Sequence, residues 1–235
     1  GMWMPFHHLG REVFLVPVQW QQDGWFTAGV NGKVEAEMEM NLNASGEDTC
    51  YDVSFEKLGA DSLRWCHLRA YDQANYQFTE QGAKLRGNHF TLDDVDAPTF
   101  LGVRQSEFDT TLDVTVGGNS PEAGVTFYLC EDHHYDLYLA QADEVCRAEL
   151  RLTTGDAQCV KTSVPLEQGQ QEVKLHVESD SEFYTFFAEI AGEKKELGKA
   201  RTKYLSSEVA GGFTGTVMAM YAVNPEEKED AWGEF

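Results

Sequence analysis

The feature that most constrains this chain is a run of alternating residues between Phe108 and Leu139. Phe108, Thr110, Leu112, Val114 and Val116 alternate with Asp109, Thr111, Asp113 and Thr115. A period of two over such a run gives a strand with one dry face and one wet face. Gly117-Gly118-Asn119-Ser120-Pro121 then supplies turn chemistry. Ala123, Val125, Phe127 and Leu129 alternate next, Glu131-Asp132 turn the chain, and His133, Tyr135, Leu137 and Leu139 alternate again. Three strands joined by short turns predict an antiparallel meander. Its dry face requires a covering layer, so the pattern predicts an all-β, two-sheet antiparallel sandwich.

The rest of the chain is consistent with that class. Residues 5–20 hold Val13, Leu15 and Pro17 on one face and Phe14, Val16, Val18 and Trp20 on the other. A strand apolar on both faces expects cover on both sides, from its own sandwich or from a second copy of the chain. Trp25–Lys33, with Gly29 and Asn31-Gly32, reads as a linker, and Val34–Asn43 as the strand that opens the next sheet. Short strands are expected over Leu63–Tyr71, Tyr76–Thr79, Ala83–Leu85 and Phe90–Leu92, with a turn over Phe55–Gly59. Val145–Thr153 and Ala157–Val164 flank Gly155-Asp156 as a hairpin. Val173–Val177 alternates, and Phe183–Ile190 carries aromatics on both faces, as a central strand does. Glu193–Gly198 reads as a turn, Phe213–Val223 as a final strand buried on both sides, and 225–235 as a frayed acidic end.

The totals exclude several classes. Against 18 Lys and Arg stand 40 Asp and Glu, a net charge of −22, which repels nucleic-acid backbones and acidic membrane surfaces. The five cysteines are odd in number and contain no CxxC pair, unlike a disulfide framework or a zinc site. No stretch is long and apolar enough to span a bilayer. The first residues, GMWMPFHH, lack a signal-peptide pattern, and Gly1 ahead of Met2 reads as a remainder of tag removal. A cytoplasmic protein is expected.

Several segments together carry a family resemblance. LGREVFLVPVQWQQDGW (Leu9–Trp25) resembles the closing segment of the catalytic β-propeller of glycoside hydrolase family 43, which contains β-xylosidases and α-L-arabinofuranosidases. RWCHLR (Arg64–Arg69), APTFLGVRQSEFD (Ala97–Asp109), EAGVTFY (Glu122–Tyr128), HHYDL (His133–Leu137) and GGFTGTVMAMYA (Gly211–Ala222) resemble the C-terminal concanavalin A-like sandwich of the same enzymes. The resemblance implies a propeller remnant plus linker over 1–33 and a concanavalin A-like jelly roll over 34–235. It also implies an inverting mechanism run by three propeller carboxylates. A four-stranded blade takes about 40 residues, so residues 1–33 do not supply one, and no catalytic residue is assigned here. The expected role is a non-catalytic accessory module that packs on a family 43 propeller and shapes its pocket. The alternatives are a free-standing carbohydrate-binding module for xylo-oligosaccharides, or a degenerate fragment without a ligand.

By that resemblance Arg11 matches an arginine facing the sugar pocket, where a guanidinium donates paired hydrogen bonds. Its plain alternative is a surface or ion-paired arginine. Phe213, in the loop Ala210–Thr214, matches an aromatic that reaches the pocket and limits substrate length; the alternative is a core phenylalanine. Trp65, Tyr71, Tyr76 and Tyr135 are candidates for a sugar-stacking platform, with Trp65 assigned to the core and Tyr135 kept as a substrate-binding candidate. His7 and His8, beside the chain start, are expected to be disordered. His133 and His134 point to opposite faces of a strand and cannot share a metal without a bulge; one is expected buried and hydrogen-bonded, the other exposed. No metal or cofactor is assigned. An edge calcium is compatible with such folds, but Asp93-Asp94-Val95-Asp96 and Glu131-Asp132 lack a ligand-loop pattern.

Overall fold

A computed structural model describes residues 6–11, 13, 15–35, 37, 65–142 and 145–235. Contacts divide the chain into two units, one of residues 1–11 and 54–235, the other of residues 12–53. In the smaller unit, β1 (Val18–Trp20) pairs with β2 (Phe26–Ala28) as an antiparallel hairpin. The stretch expected to be a linker therefore includes a strand. Trp20 and Phe26 cover each other edge to face, with ring centroids 5.4 Å apart. In the single chain Val13 is 98% exposed and Trp20 71%. The strand expected over 34–43 falls almost entirely outside the described residues, as does the turn over 55–59.

The larger unit is a sandwich. Its strands are β3 (Trp65–Cys66), β4 (Tyr76–Thr79), β5 (Gly82–Arg86), β6 (Thr99–Arg104), β7 (Thr110–Gly118), β8 (Glu122–Cys130) and β9 (His133–Ala142). They continue with β10 (Val145–Thr154), β11 (Ala157–Pro165), β12 (Val173–Ser179), β13 (Phe183–Ile190), β14 (Glu193–Arg201), β15 (Val217–Val223) and β16 (Trp232–Glu234). One sheet runs β11-β10-β9-β8-β15-β6-β3 and the other β14-β13-β12-β7-β16-β5-β4, every pair antiparallel.

The expected meander is thus corrected at its first turn. β8 and β9 pair directly, but β7 lies in the opposite sheet. The alternation is right, and it tells which face is dry without telling which strand is the partner. The Gly117–Pro121 segment carries the chain from one layer to the other, so β7 helps to cover the dry face of β8 and β9 instead of sharing it. Leu112, Val114 and Val116 meet Val125, Leu137, Leu150, Leu175 and Phe186 in the shared core. β8 and β9 are also buried on their outer side, where Tyr128 and Tyr138 join Leu92, Phe100 and Tyr221 in a second cluster.

Five further expectations are corrected. Extended structure after Trp65 stops at Cys66, because the chain bends through Arg69 at φ 54°. Phe90–Leu92 is a loop held by Asn88 and Asp94 side chains. Glu193–Arg201 is the edge strand β14, and its charges suit that place, since an edge needs only one buried face and lysines deter further pairing. β13 is therefore second from that edge, burying Tyr184, Phe186, Ala188 and Ile190 on one face only. The acidic end is not frayed: Ala231 is buried and β16 inserts between β7 and β5.

Candidate functional site

One end of the sandwich gathers Arg11 and Phe213. The short helix α1 (Ser207–Ala210) leads into Gly211 and Gly212, at φ 79° and 75°, and then into Phe213. Two consecutive left-handed residues need glycine and turn the loop outward. Phe213 is 70% exposed, and the Arg11 guanidinium lies over its ring, 4.2 Å from the centroid. Beneath them the chain is tightly fixed. The Thr216 N–H and hydroxyl both donate to the His8 carbonyl, at 2.8 and 2.9 Å. A Cβ on Gly10 would stand 2.4 Å from the Gly215 nitrogen, so both backbones depend on glycine for this approach.

His7 and His8 are placed, contrary to expectation. His7 contacts the Glu208 carboxylate through its backbone N–H and its Nδ1. Burial works against the charge of Glu208, but these hydrogen bonds prevail and hold its carboxyl down to about 2. His8 is 1% exposed, its ring packed against Phe108 and Tyr184. Burial pushes its imidazole down to about 4, and Nε2 has no partner among the described residues. The Tyr184 hydroxyl donates to Gln105, whose amide donates to Ser179, so the base of the loop is braced by buried polar groups.

Tyr135 lies elsewhere, in the core. It is 1% exposed, and its hydroxyl donates to the Arg201 carbonyl at 2.9 Å. A ring so placed offers a sugar no face. Tyr135→Phe is expected to cost about 0.5–1.5 kcal/mol through the lost hydrogen bond, read as a lower urea midpoint, and to leave any sugar binding as it was. Trp65 is half-buried against the core and Tyr76 is buried, while Tyr71 is exposed with its ring 5.0 Å from that of Tyr76.

The histidine pair splits across its strand. His134 is fully buried and His133 half-buried. His134 belongs to a cluster that the sequence pattern does not announce. Its Nδ1 meets Asp136 at 2.9 Å and its Nε2 meets Asp93 at 3.0 Å. Arg151 donates to Asp136 through Nε at 2.8 Å and to Glu122 through both terminal nitrogens. Thr126 completes Asp136, and Tyr221 donates to Glu122. Burial opposes the charge on His134, but the carboxylates of Asp136 and Asp93 hold it up at about 9. The period-two spacing of His134 and Asp136 on β9, with Arg151 opposite Asp136 on β10, is the signal that could have revealed it. Asp136 is inaccessible and paired on all sides, which suits an ion cluster and not proton transfer to a substrate. Among the described residues, no group of three or more His, Cys, Asp or Glu side chains is placed to hold a metal.

Comparison with known proteins gives a consistent answer. The family described as β-xylosidase C-terminal concanavalin A-like domain matches residues 54–235. The non-reducing end α-L-arabinofuranosidase BoGH43B of Bacteroides ovatus is 33% identical over 227 residues, covering 92% of this chain and 42% of the relative. A xylosidase/arabinosidase of Butyrivibrio fibrisolvens is 24% identical, over 97% of this chain and 46% of the relative. Among solved structures, the Bacteroides ovatus xyloglucan-locus GH43B superposes with a TM-score of 0.87 at 31% identity, over 98% of this chain and 47% of that one. The BlXynB protein of Bacillus licheniformis, at 22% identity, shares the fold with a TM-score of 0.86. The chain spans less than half the length of the curated relatives it matches.

Proposed function

The chain belongs to the family of β-xylosidase C-terminal concanavalin A-like domains, and on that premise we propose that it packs on a catalytic propeller and narrows the propeller's sugar pocket with Phe213. The observation that carries this reading is the exposed Phe213 ring, held out by two glycines, stacked under Arg11 and anchored at its base by the His8–Thr216 hydrogen bonds. An aromatic face left in water on a braced loop suits contact with a partner. Arg11, beside it, retains guanidinium donors for sugar hydroxyls. The half-chain coverage of the relatives supports a propeller as the partner. Glu122 and Asp136 share Arg151, which supports a non-catalytic role for this module. At the Phe213 loop, xylo-oligosaccharide would then be touched only jointly with the propeller. The four described cysteines are free thiols, which supports a reducing compartment such as the cytoplasm.

The test is a chimera in which this chain replaces the C-terminal half of the Bacteroides ovatus arabinofuranosidase. Phe213→Ala is expected to raise kcat/KM for longer substrates relative to disaccharides by about tenfold, the usual scale for altering one side chain of a pocket. An unchanged ratio would contradict the pocket-narrowing role.

A further inference from the structure

The outer face of the second sheet, at the end of the strands away from Phe213, carries a polar cleft that the propeller reading does not use. β7 starts at Thr110, close to Phe108 under His8, and ends at Gly118 in the cleft floor, about 27 Å away for an extended strand. The cleft has a volume of about 900 Å³ and includes Gln77, Lys84, Gly117, Gln171, Trp232 and Glu234 in its lining. A second depression of about 550 Å³ adjoins it, sharing Thr115 and Glu172, and extends the trough to Glu189 on β13. Crossing from β4 to β12 spans four strand spacings, about 19 Å, which is room for several sugar units.

Register explains how the trough arises. Gln77 lies opposite Lys84, Lys84 opposite Glu234, and Glu234 opposite Gly117. Gly117 carries no side chain, so the floor drops between Glu234 and Glu172. Lys84 and Glu234 pair at 2.5 Å along one side of that floor. Trp232 and Glu234 share the outer face because Gly233, between them, packs toward Ala123 in the core. Among the described residues, the side-chain amides of Gln77, Gln81, Gln168 and Gln171 make no hydrogen bond, although all line the trough.

We propose that this trough binds a neutral oligosaccharide chain, with the Trp232 ring against a sugar's C–H face and the free glutamine amides pairing with its hydroxyls. Hydroxyl groups both donate and accept, as an amide does, and carboxylates take the remaining donors. Five carboxylates, Glu167, Glu172, Glu189, Asp230 and Glu234, stand against two amines, Lys84 and Lys174. That balance repels an anionic glycan. The floor strands β5, β16 and β7 are paired on both sides, and the sheet's edge strand β4 lies only at the rim, so a peptide lying in the floor finds no strand edge to extend there. This site rests on its own geometry and stands or falls apart from the role of Phe213.

The experiment is calorimetric titration of the full chain with xylohexaose, cellohexaose and arabinohexaose, with polygalacturonate as the anionic control. Saturable binding to at least one neutral hexasaccharide is expected. It should weaken about tenfold or more in Trp232→Ala and stay unchanged in an Arg11→Ala/Phe213→Ala double variant. Should Trp232→Ala lower stability, the exposed double variant Gln77→Leu/Gln171→Leu serves the same purpose and should also weaken binding. Absence of saturation with all three neutral sugars would overturn the proposal. So would binding that survives both cleft variants, binding lost in the Arg11/Phe213 variant, or a preference for polygalacturonate.

Discussion

A chain ending at Asp230 is expected to lose most of its folding stability. The last five residues place β16 inside the second sheet, between β7 and β5. They contribute Ala83 N–H to Phe235 carbonyl, Phe235 N–H to Ala83 carbonyl, and Gly87 N–H to Ala231 carbonyl. The N–H groups of Asn119 and Ser120 both donate to the Trp232 carbonyl. At about 1 kcal/mol net for each backbone hydrogen bond, these alone amount to roughly 5 kcal/mol, comparable to the lower end of a domain's whole stability of about 5–15 kcal/mol. Removing them also leaves β7 and β5 as open edges and uncovers core beside Phe235. Urea unfolding should show a midpoint far below that of the full chain, or no cooperative transition. An unchanged midpoint would mean that β16 contributes nothing to the sheet.

Asp136→Ala is expected to have a comparable effect by a different route. Its carboxylate is wholly buried, and burial would raise its pKa, but His134 and Arg151 hold it down to about 2. Removing it leaves two cations in the interior with only Asp93 and Glu122 at their far sides. Breaking a buried ion pair from one side costs about 3–5 kcal/mol, a fall in Tm of about 10 °C for a domain of this size. The same cluster sets a pH dependence. His134 titrates at about 9 in the fold against an ordinary 6.5, so the native state holds a proton that the unfolded chain gives up first. Its stabilisation is fully present below pH 6.5 and declines as pH rises through 9. Denaturation at pH 6 and pH 9.5 should show this decline in the native chain and a flatter profile in His134→Gln. Equal slopes would remove His134 from the account of stability.

Strands with an alternating apolar face were legible from residue order, because alternation follows directly from which face meets the shared core. β7, β8, β9, β12 and the β10–β11 hairpin were all visible in this way. Partners were less legible. Nothing in Gly117–Pro121 says whether the next strand pairs beside β7 or crosses to the other layer; that is settled by Leu112, Val114 and Val116 meeting Val125 and Leu137 across the core. Strands with few apolar residues were hidden for an opposite reason. In β14 only Leu197 and Ala200 are buried, and β16 is held by backbone bonds that any residue can make. At the candidate site, the resemblance pointed to Phe213 and Arg11, and they do lie together. It did not point to the support beneath them, since the contacts of His8 with Phe108, Tyr184 and Thr216 join residues about a hundred or more positions apart. Tyr135 shows the limit of residue type as a guide: a tyrosine serves a sugar or a core equally well, and its place on the inward face of β9 decides for the core.

The dependence of a propeller on this sandwich is most directly measured as the hydrolysis of an aryl α-L-arabinofuranoside by the propeller half of the Bacteroides ovatus relative, with and without this chain added. This chain alone should give the buffer rate. Added to saturation, it should raise the propeller's kcat/KM by about tenfold or more, equivalent to about 1.4 kcal/mol of transition-state stabilisation. A rate indifferent to the added chain would contradict the accessory role, as would turnover by the chain alone that disappears when one of its own carboxylates is replaced.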